Sequence, residues 1–169
     1  SACFRMLHGR DHRVGQELMQ QPLIRAAAFT GSLRGGRALF DLAAQRACPV
    51  PMFAEMGSLN PVFLLSGKLT THAQHIASVL AQSVTSGAGQ FCTKPGLIVF
   101  EQCDAVDVFK NDFRQALRNV PQQSMLHPDL YASYWQNVRS RNKKIPSRAW
   151  FDDVDAKEPY VTPQVWDVD

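Results

Sequence analysis

Apolar residues fall along this chain in two kinds of block: short continuous runs, and longer stretches in which they return at every third or fourth position. The first pattern belongs to a short buried strand, the second to a helix with one buried face. Residues 14–20 read as a short helical segment, closed at Pro22 because a proline pushes the residue before it out of the helical region. An apolar run over residues 24–29 leads directly into Thr30-Gly31-Ser32, after which Leu33, Arg37, Phe40, Asp41 and Ala44 keep helical spacing. The order is strand, tight turn, helix.

Two further strands are expected over residues 49–55 and 61–65. A helix begins near Leu69, with Ile76, Val79, Leu80, Ser83 and Val84 on its apolar face, and ends at Gly87. The strand over residues 97–100 then closes a βαβ unit, whose strands should be parallel and whose crossover should be right-handed. Residues 104–119 form a helix with Val106, Phe109, Phe113 and Leu117 as a core stripe, and residues 130–138 another, lined by Tyr131, Tyr134 and Trp135. Beyond Pro146 only residues 160–168 resemble a strand. The predicted fold class is α/β, an open and mostly parallel sheet with flanking helices.

Composition narrows the function. The chain has 169 residues, 45% of them hydrophobic, enough for one domain with a real core or a domain plus a piece of another. A net charge of +3 is too small and dispersed to indicate nucleic acid. Arg139, Arg141, Lys143 and Lys144 are expected to be a solvated helix end, and Asp152, Asp153, Asp155 and Glu158 make a local acidic stretch that implies no partner. There is no apolar run long enough for a bilayer and no basic-then-apolar leader, so a cytoplasmic protein with no membrane partner is expected. Cysteines at 3, 48, 92 and 103 show no CxxC or zinc-finger spacing and read as a reduced set. His8 and His12 do not make a metal pair, because Gly9 and Asp11 interrupt the helix that would align them, and no metal site is expected.

Candidate chemistry gathers around Gly87-Ala88-Gly89-Gln90-Phe91-Cys92-Thr93-Lys94-Pro95-Gly96. Glycines at 87 and 89 permit positive φ and close approach of a ligand, while Pro95 and Gly96 block a return to helix, a poor setting for a core cysteine. Cys92 is therefore the candidate nucleophile. Glu55 ends a strand beside the Met56-Gly57-Ser58 turn, where sheet proteins place working groups. A hydroxyl residue in the Thr30-Gly31-Ser32 turn can cap the following helix, whose free amides favour an anion, although Gly31, Gly35 and Gly36 do not make GxGxxG. His72 and His75 lie about 20 Å of helix away from Cys92, too far to serve as its base.

Three ordered motifs, Phe29-Thr30-Gly31-Ser32, Glu55-Met56-Gly57 and Gly89-Gln90-Phe91-Cys92-Thr93, resemble the aldehyde dehydrogenase superfamily over most of residues 1–120. Residues 29–41 and 53–63 are most similar to its NADP-preferring subgroup acting on 2-oxoglutarate semialdehyde or fatty aldehydes. The resemblance implies Cys92 as the nucleophile that adds to the aldehyde and Glu55 as the general base for the thiol or the hydrolytic water. It implies Gly31 and Ser32 at the dinucleotide pyrophosphate, with Thr30 and Gly36 as further cofactor-binding positions, and Met56 against the nicotinamide. The cofactor would be NADP (or NAD), the substrate a small aldehyde, and the intact enzyme a homo-oligomer.

The resemblance further implies an internal piece of a longer chain: residues 1–54 the last part of a cofactor domain, residues 55–169 the first and central parts of a catalytic domain. The family's oxyanion asparagine and 2′-phosphate selector would precede Ser1, and its ribose-binding glutamate would follow Asp169. Lys94 stands where an uncharged residue is expected, putting a cation near the site. Two rival readings remain: an inactive packing or assembly unit, and a cysteine hydrolase, which would need a histidine beside Cys92.

Overall fold

The computed structural model describes residues 4–9, 11–144, 149–151 and 158–168, excluding the side chains of residues 142 and 144. The chain divides into two compact units, Ser1–Gly57 and Ser58–Asp169.

The first unit contains α1 (Arg13–Gln20), β1 (Ala27–Thr30), α2 (Leu33–Ala44) and β2 (Met52–Glu55). Strands β1 and β2 pair in parallel with Ala27 opposite Met52 and Thr30 opposite Glu55, so that both end together. Their burial alternates, half-buried Ala27, Phe29, Met52 and Ala54 against exposed neighbours, as a sheet covered on one face requires. Met19 of α1 and Ala43 of α2 are buried. Arg46 anchors the connection between α1 and β1, its guanidinium donating to the carbonyls of Met19 (2.8 Å), Gln21 (2.9 Å) and Ile24 (3.1 Å). The planar fork of arginine suits such a cluster of acceptors.

The second unit runs β3 (Pro61–Leu64), α3 (Ser66–Thr85), β4 (Leu97–Phe100), α4 (Ala105–Arg118), β5 (Gln123–Ser124), α5 (Pro128–Lys144) and β6 (Tyr160–Val161). Strands β3 and β4 are parallel, with α3 as the connection between them, as the expected βαβ unit requires. The architecture is thus α/β with parallel strands and flanking helices, the parallel strands forming one pair in each unit.

Helices α3 and α4 build the core of this unit. Leu69, Ala73, Ala77, Leu80 and Ala81 face Val106, Phe109, Phe113 and Leu117, with Leu64 beneath. Alanines four residues apart leave a flat ridge on α3 that admits the Phe109 and Phe113 rings, stacked at 5.4 Å. The stripe expected on α4 is the buried one, whereas Val79 and Ser83 of α3 point outward, Val79 being 49% exposed. Phe109 has no exposed surface. Phe109→Ala is expected to lower unfolding free energy by about 3–5 kcal/mol, from lost transfer energy plus the cavity left behind. Urea denaturation measures it, and a loss under about 1 kcal/mol would mean that α3 and α4 collapse onto the gap.

A smaller cluster forms on α5, where Trp135 and Val138 are buried with Tyr131, Tyr134 and Trp166 around them. The Tyr134 hydroxyl donates to the Thr162 carbonyl at 2.6 Å, and burial pushes its pKa up to about 12. The strand expected over residues 160–168 is a correction: only Tyr160–Val161 pairs, antiparallel to β5, followed by an isolated bridge of Trp166 to Ala149. Pro163 has no N–H for a ladder, which ends the strand after two residues. Helix α5 runs longer than the apolar pattern indicated, continuing through residues 139–144, with Arg139, Arg141 and Lys143 exposed. The acidic residues 152, 153 and 155 lie outside the described residues.

Candidate active site

Within the first unit, the shared carboxyl ends of β1 and β2 gather six of the sequence-selected residues. Thr30 lies opposite Glu55, and the Gly31 amide donates to the Glu55 carbonyl at 3.0 Å. The backbone of the candidate base is therefore fixed while its side chain stays exposed. Ser32 caps α2, its hydroxyl accepting from the Gly35 amide at 3.1 Å. By helix geometry the amides of Leu33 and Arg34 have no intrahelical acceptor and lie at the positive end of the dipole. Arg34 adds an exposed cation there, whereas Arg37 is engaged by Asp41 at 2.9 Å.

Met56 covers the first turn of α2. A β-carbon at Gly36 would come within 2.7 Å of the Met56 sulfur, so this close seating of Met56 requires glycine. Gly36 is accordingly buried, and its α-carbon faces Met56 rather than solvent. Oriented amides, a capping hydroxyl and a nearby cation at one strand edge are a donor set that fits the diphosphate of a dinucleotide.

Cys92 belongs to the second unit and is exposed, in the loop joining α3 to β4. Its approach is a left-handed turn: Gly87, Ala88 and Gly89 have φ of 57°, 56° and 68°. For Ala88 this conformation is unfavourable by about 1–2 kcal/mol. It is held by Gln123, whose side-chain oxygen accepts the Ala88 amide at 2.7 Å. Gln90 bridges outward, donating to the Gly87 carbonyl (2.9 Å) and accepting the Leu126 amide (3.1 Å).

Beyond Cys92 the loop is braced by residues 58–60. The Asn60 amide donates to the carbonyls of Cys92 (2.7 Å) and Lys94 (3.1 Å), Ser58 Oγ donates to the same Cys92 carbonyl, and the Leu59 carbonyl accepts the Gly96 amide at 2.8 Å. Lys94 is half-buried with its stem over Gly89 and its ammonium 3.4 Å from the Pro95 carbonyl. Burial, and secondarily Arg141, pulls its pKa below the usual lysine value.

Sequence reasoning missed Ser58, Asn60, Gln90 and Gln123. The turn signal of Gly57-Ser58-Leu59-Asn60-Pro61 marks Asn60 as a loop residue, but nothing local points to a partner more than thirty residues away. His72 and His75 are exposed, and the His72 ring is engaged by Thr71 Oγ1 at 2.6 Å. Among the described residues there is no group of three or more metal-ligating side chains and no helix long and apolar enough to cross a membrane.

The family model described as Aldehyde dehydrogenase family matches residues 1–137. The chain is 44% identical over 138 residues to alpha-ketoglutaric semialdehyde dehydrogenase of Acinetobacter baylyi, a match covering 82% of this chain and 26% of that protein. It is 37% identical over 146 residues to alpha-ketoglutaric semialdehyde dehydrogenase 2 of Azospirillum brasilense, covering 86% of this chain and 28% of that one. The chain thus spans about a quarter of the length of these curated relatives. Among solved structures, a mutant of Bradyrhizobium japonicum Proline Utilization A matches with TM-score 0.80 at 20% identity, covering 92% of this chain and 17% of that one. A NAD-dependent benzaldehyde dehydrogenase from Corynebacterium glutamicum matches with TM-score 0.78 at 19% identity, covering 94% and 35% respectively. At these identities the structures speak to the fold.

Proposed function

This chain belongs to the aldehyde dehydrogenase family, and we propose that in the intact protein it carries the nucleophile, the base and one edge of the cofactor site of an enzyme oxidising an aldehyde to a carboxylic acid. What carries this reading is Cys92, an exposed thiol on a loop whose backbone is held on both sides. A thiolate at Cys92 adds to the aldehyde carbon, forming a carbon–sulfur bond and an oxyanion. The relatives' printed names support 2-oxoglutarate semialdehyde as the substrate.

Family members use NAD(P), and a bound oxidised nicotinamide would accept the hydride that side chains cannot. We expect NADP, with NAD as the alternative. The Leu33 and Arg34 amides, Thr30, Gly31 and the Ser32 cap would hold its diphosphate end. Met56, seated on Gly36, would offer its backbone to the nicotinamide. Loss of hydride leaves a thioester on Cys92; water then attacks its carbonyl carbon, the carbon–sulfur bond breaks, and Glu55 takes the proton of that water. The proposal extends to residues 1–54 as the end of a cofactor domain, residues 55–169 as part of a catalytic domain, and a cytoplasmic homo-oligomer.

Alkylation tests the central assignment. Brief exposure of the intact enzyme to iodoacetamide at neutral pH, followed by peptide mapping, should modify Cys92 at least about tenfold faster than Cys48 or Cys103. Cys48 is exposed too, so accessibility alone would label both. Equal labelling of Cys48 and Cys92 overturns the assignment.

A further inference from the structure

We infer that Asn60 is a positioning residue for Cys92, its side-chain amide fixing the peptide that carries the thiol; the inference rests on Cys92 being the nucleophile. Asn60 Nδ2 lies 2.7 Å from the Cys92 carbonyl oxygen, 3.1 Å from that of Lys94 and 3.0 Å from Ser58 Oγ. Carbonyl oxygens only accept, so the atom between them must be the NH2 group of the amide. Ser58 Oγ supplies a second donor to the Cys92 carbonyl.

The backbone of Asn60 makes the residue choice narrow. Its φ is 47°, a left-handed conformation that favours glycine or asparagine. Glycine would satisfy the backbone and lose the clamp, while aspartate would keep the shape and aim a carboxylate at two carbonyl oxygens. Asparagine alone meets both demands. One residue earlier, the Leu59 carbonyl takes the Gly96 amide, and a β-carbon on Gly96 would come within 2.8 Å of that oxygen. Residues 58–60 therefore fasten the loop at positions 92, 94 and 96, and the Gln123 and Gln90 contacts fasten it at 87–90. Both clamps act on the backbone, leaving the Cys92 side chain exposed and its peptide plane fixed.

The test uses the intact enzyme with Asn60→Gly and Asn60→Asp. Asn60→Gly keeps the left-handed backbone and removes the side-chain donor, and should lower kcat by about 10²-fold, the scale of a misplacement near 1 Å, while the alkylation rate of Cys92 falls toward that of exposed Cys48. Affinity for NADP should stay within about twofold of wild type, because the proposed diphosphate contacts belong to the other unit. Asn60→Asp should be impaired at neutral pH and recover relative to Asn60→Gly as pH falls, since a protonated carboxyl can donate to one carbonyl. A role confined to fold stability would move the unfolding midpoint of these variants and leave the kcat of the folded enzyme, and its pH dependence, at wild type.

Wild-type alkylation and turnover in Asn60→Gly would overturn the inference. Should that variant not fold, Asn60→Asp carries the test, because its carboxylate replaces the donor at both carbonyls, and wild-type alkylation and turnover there at neutral pH overturn the inference equally. Turnover surviving in Cys92→Ser would instead sink the nucleophile assignment. An inactive Cys92→Ser beside a fully active Asn60→Gly sinks the clamp alone.

Discussion

Cys92→Ser in the intact enzyme is expected to lower kcat by about 10⁴-fold or more while leaving dinucleotide binding intact. The substitution exchanges sulfur for oxygen on an exposed loop side chain, and the hydrogen bonds described for that loop are made by other groups. Ser58 and Asn60 grip the Cys92 carbonyl, Gln123 grips the Ala88 amide, and all three survive the change. What is lost is the ionisable nucleophile: a cysteine can react as its thiolate, whereas a serine hydroxyl is not measurably ionised at neutral pH. Stopped-flow absorbance of reduced cofactor should therefore lose both the first-turnover burst and the steady state. Retention of a burst would show that another group forms the covalent adduct, and would remove Cys92 from the mechanism.

How far such a site could be read from sequence differed from residue to residue. The placement of Thr30, Gly31, Ser32 and Glu55 at strand ends was legible because each stands where an apolar run meets a glycine-containing turn, and β1 and β2 do end there side by side. The α4 stripe was legible because Val106, Phe109, Phe113 and Leu117 are large and regularly spaced. On α3 the buried ridge is Ala73, Ala77 and Ala81, whose weak hydrophobic signal was outweighed by the more apolar but exposed Val79. The two-residue strands β5 and β6 are too short to carry any periodicity. Least legible were the loop clamps. Asn60 to Cys92 and Gln123 to Ala88 join polar side chains to main-chain atoms 32 and 35 residues away, and hydrogen bonds of that kind leave no pattern in one chain. They also bear most directly on what the thiol can do, because they fix the backbone that carries it.

Glu55→Gln is the second large expectation, with kcat falling by about 10²- to 10⁴-fold, the usual contribution of a positioned general base. Glutamine keeps the length and shape of the side chain. The contact that seats this residue is made by its backbone, the carbonyl accepting the Gly31 amide at 3.0 Å, so the strand end and the Ser32 cap should be undisturbed. An exposed, near-isosteric change of this type alters stability by about 0.5 kcal/mol or less, and the thermal midpoint should hardly move. First-turnover kinetics then locate the proton that Glu55 takes. If its task is to activate water for thioester hydrolysis, the burst of reduced cofactor keeps its wild-type rate and only the steady state falls. If it also deprotonates Cys92, the burst and the iodoacetamide rate fall together at neutral pH and recover as rising pH ionises the thiol without help. Either result makes Glu55 the base. A variant that matches wild type in burst, steady state and alkylation would show that the carboxylate at the end of β2 takes no part in the chemistry.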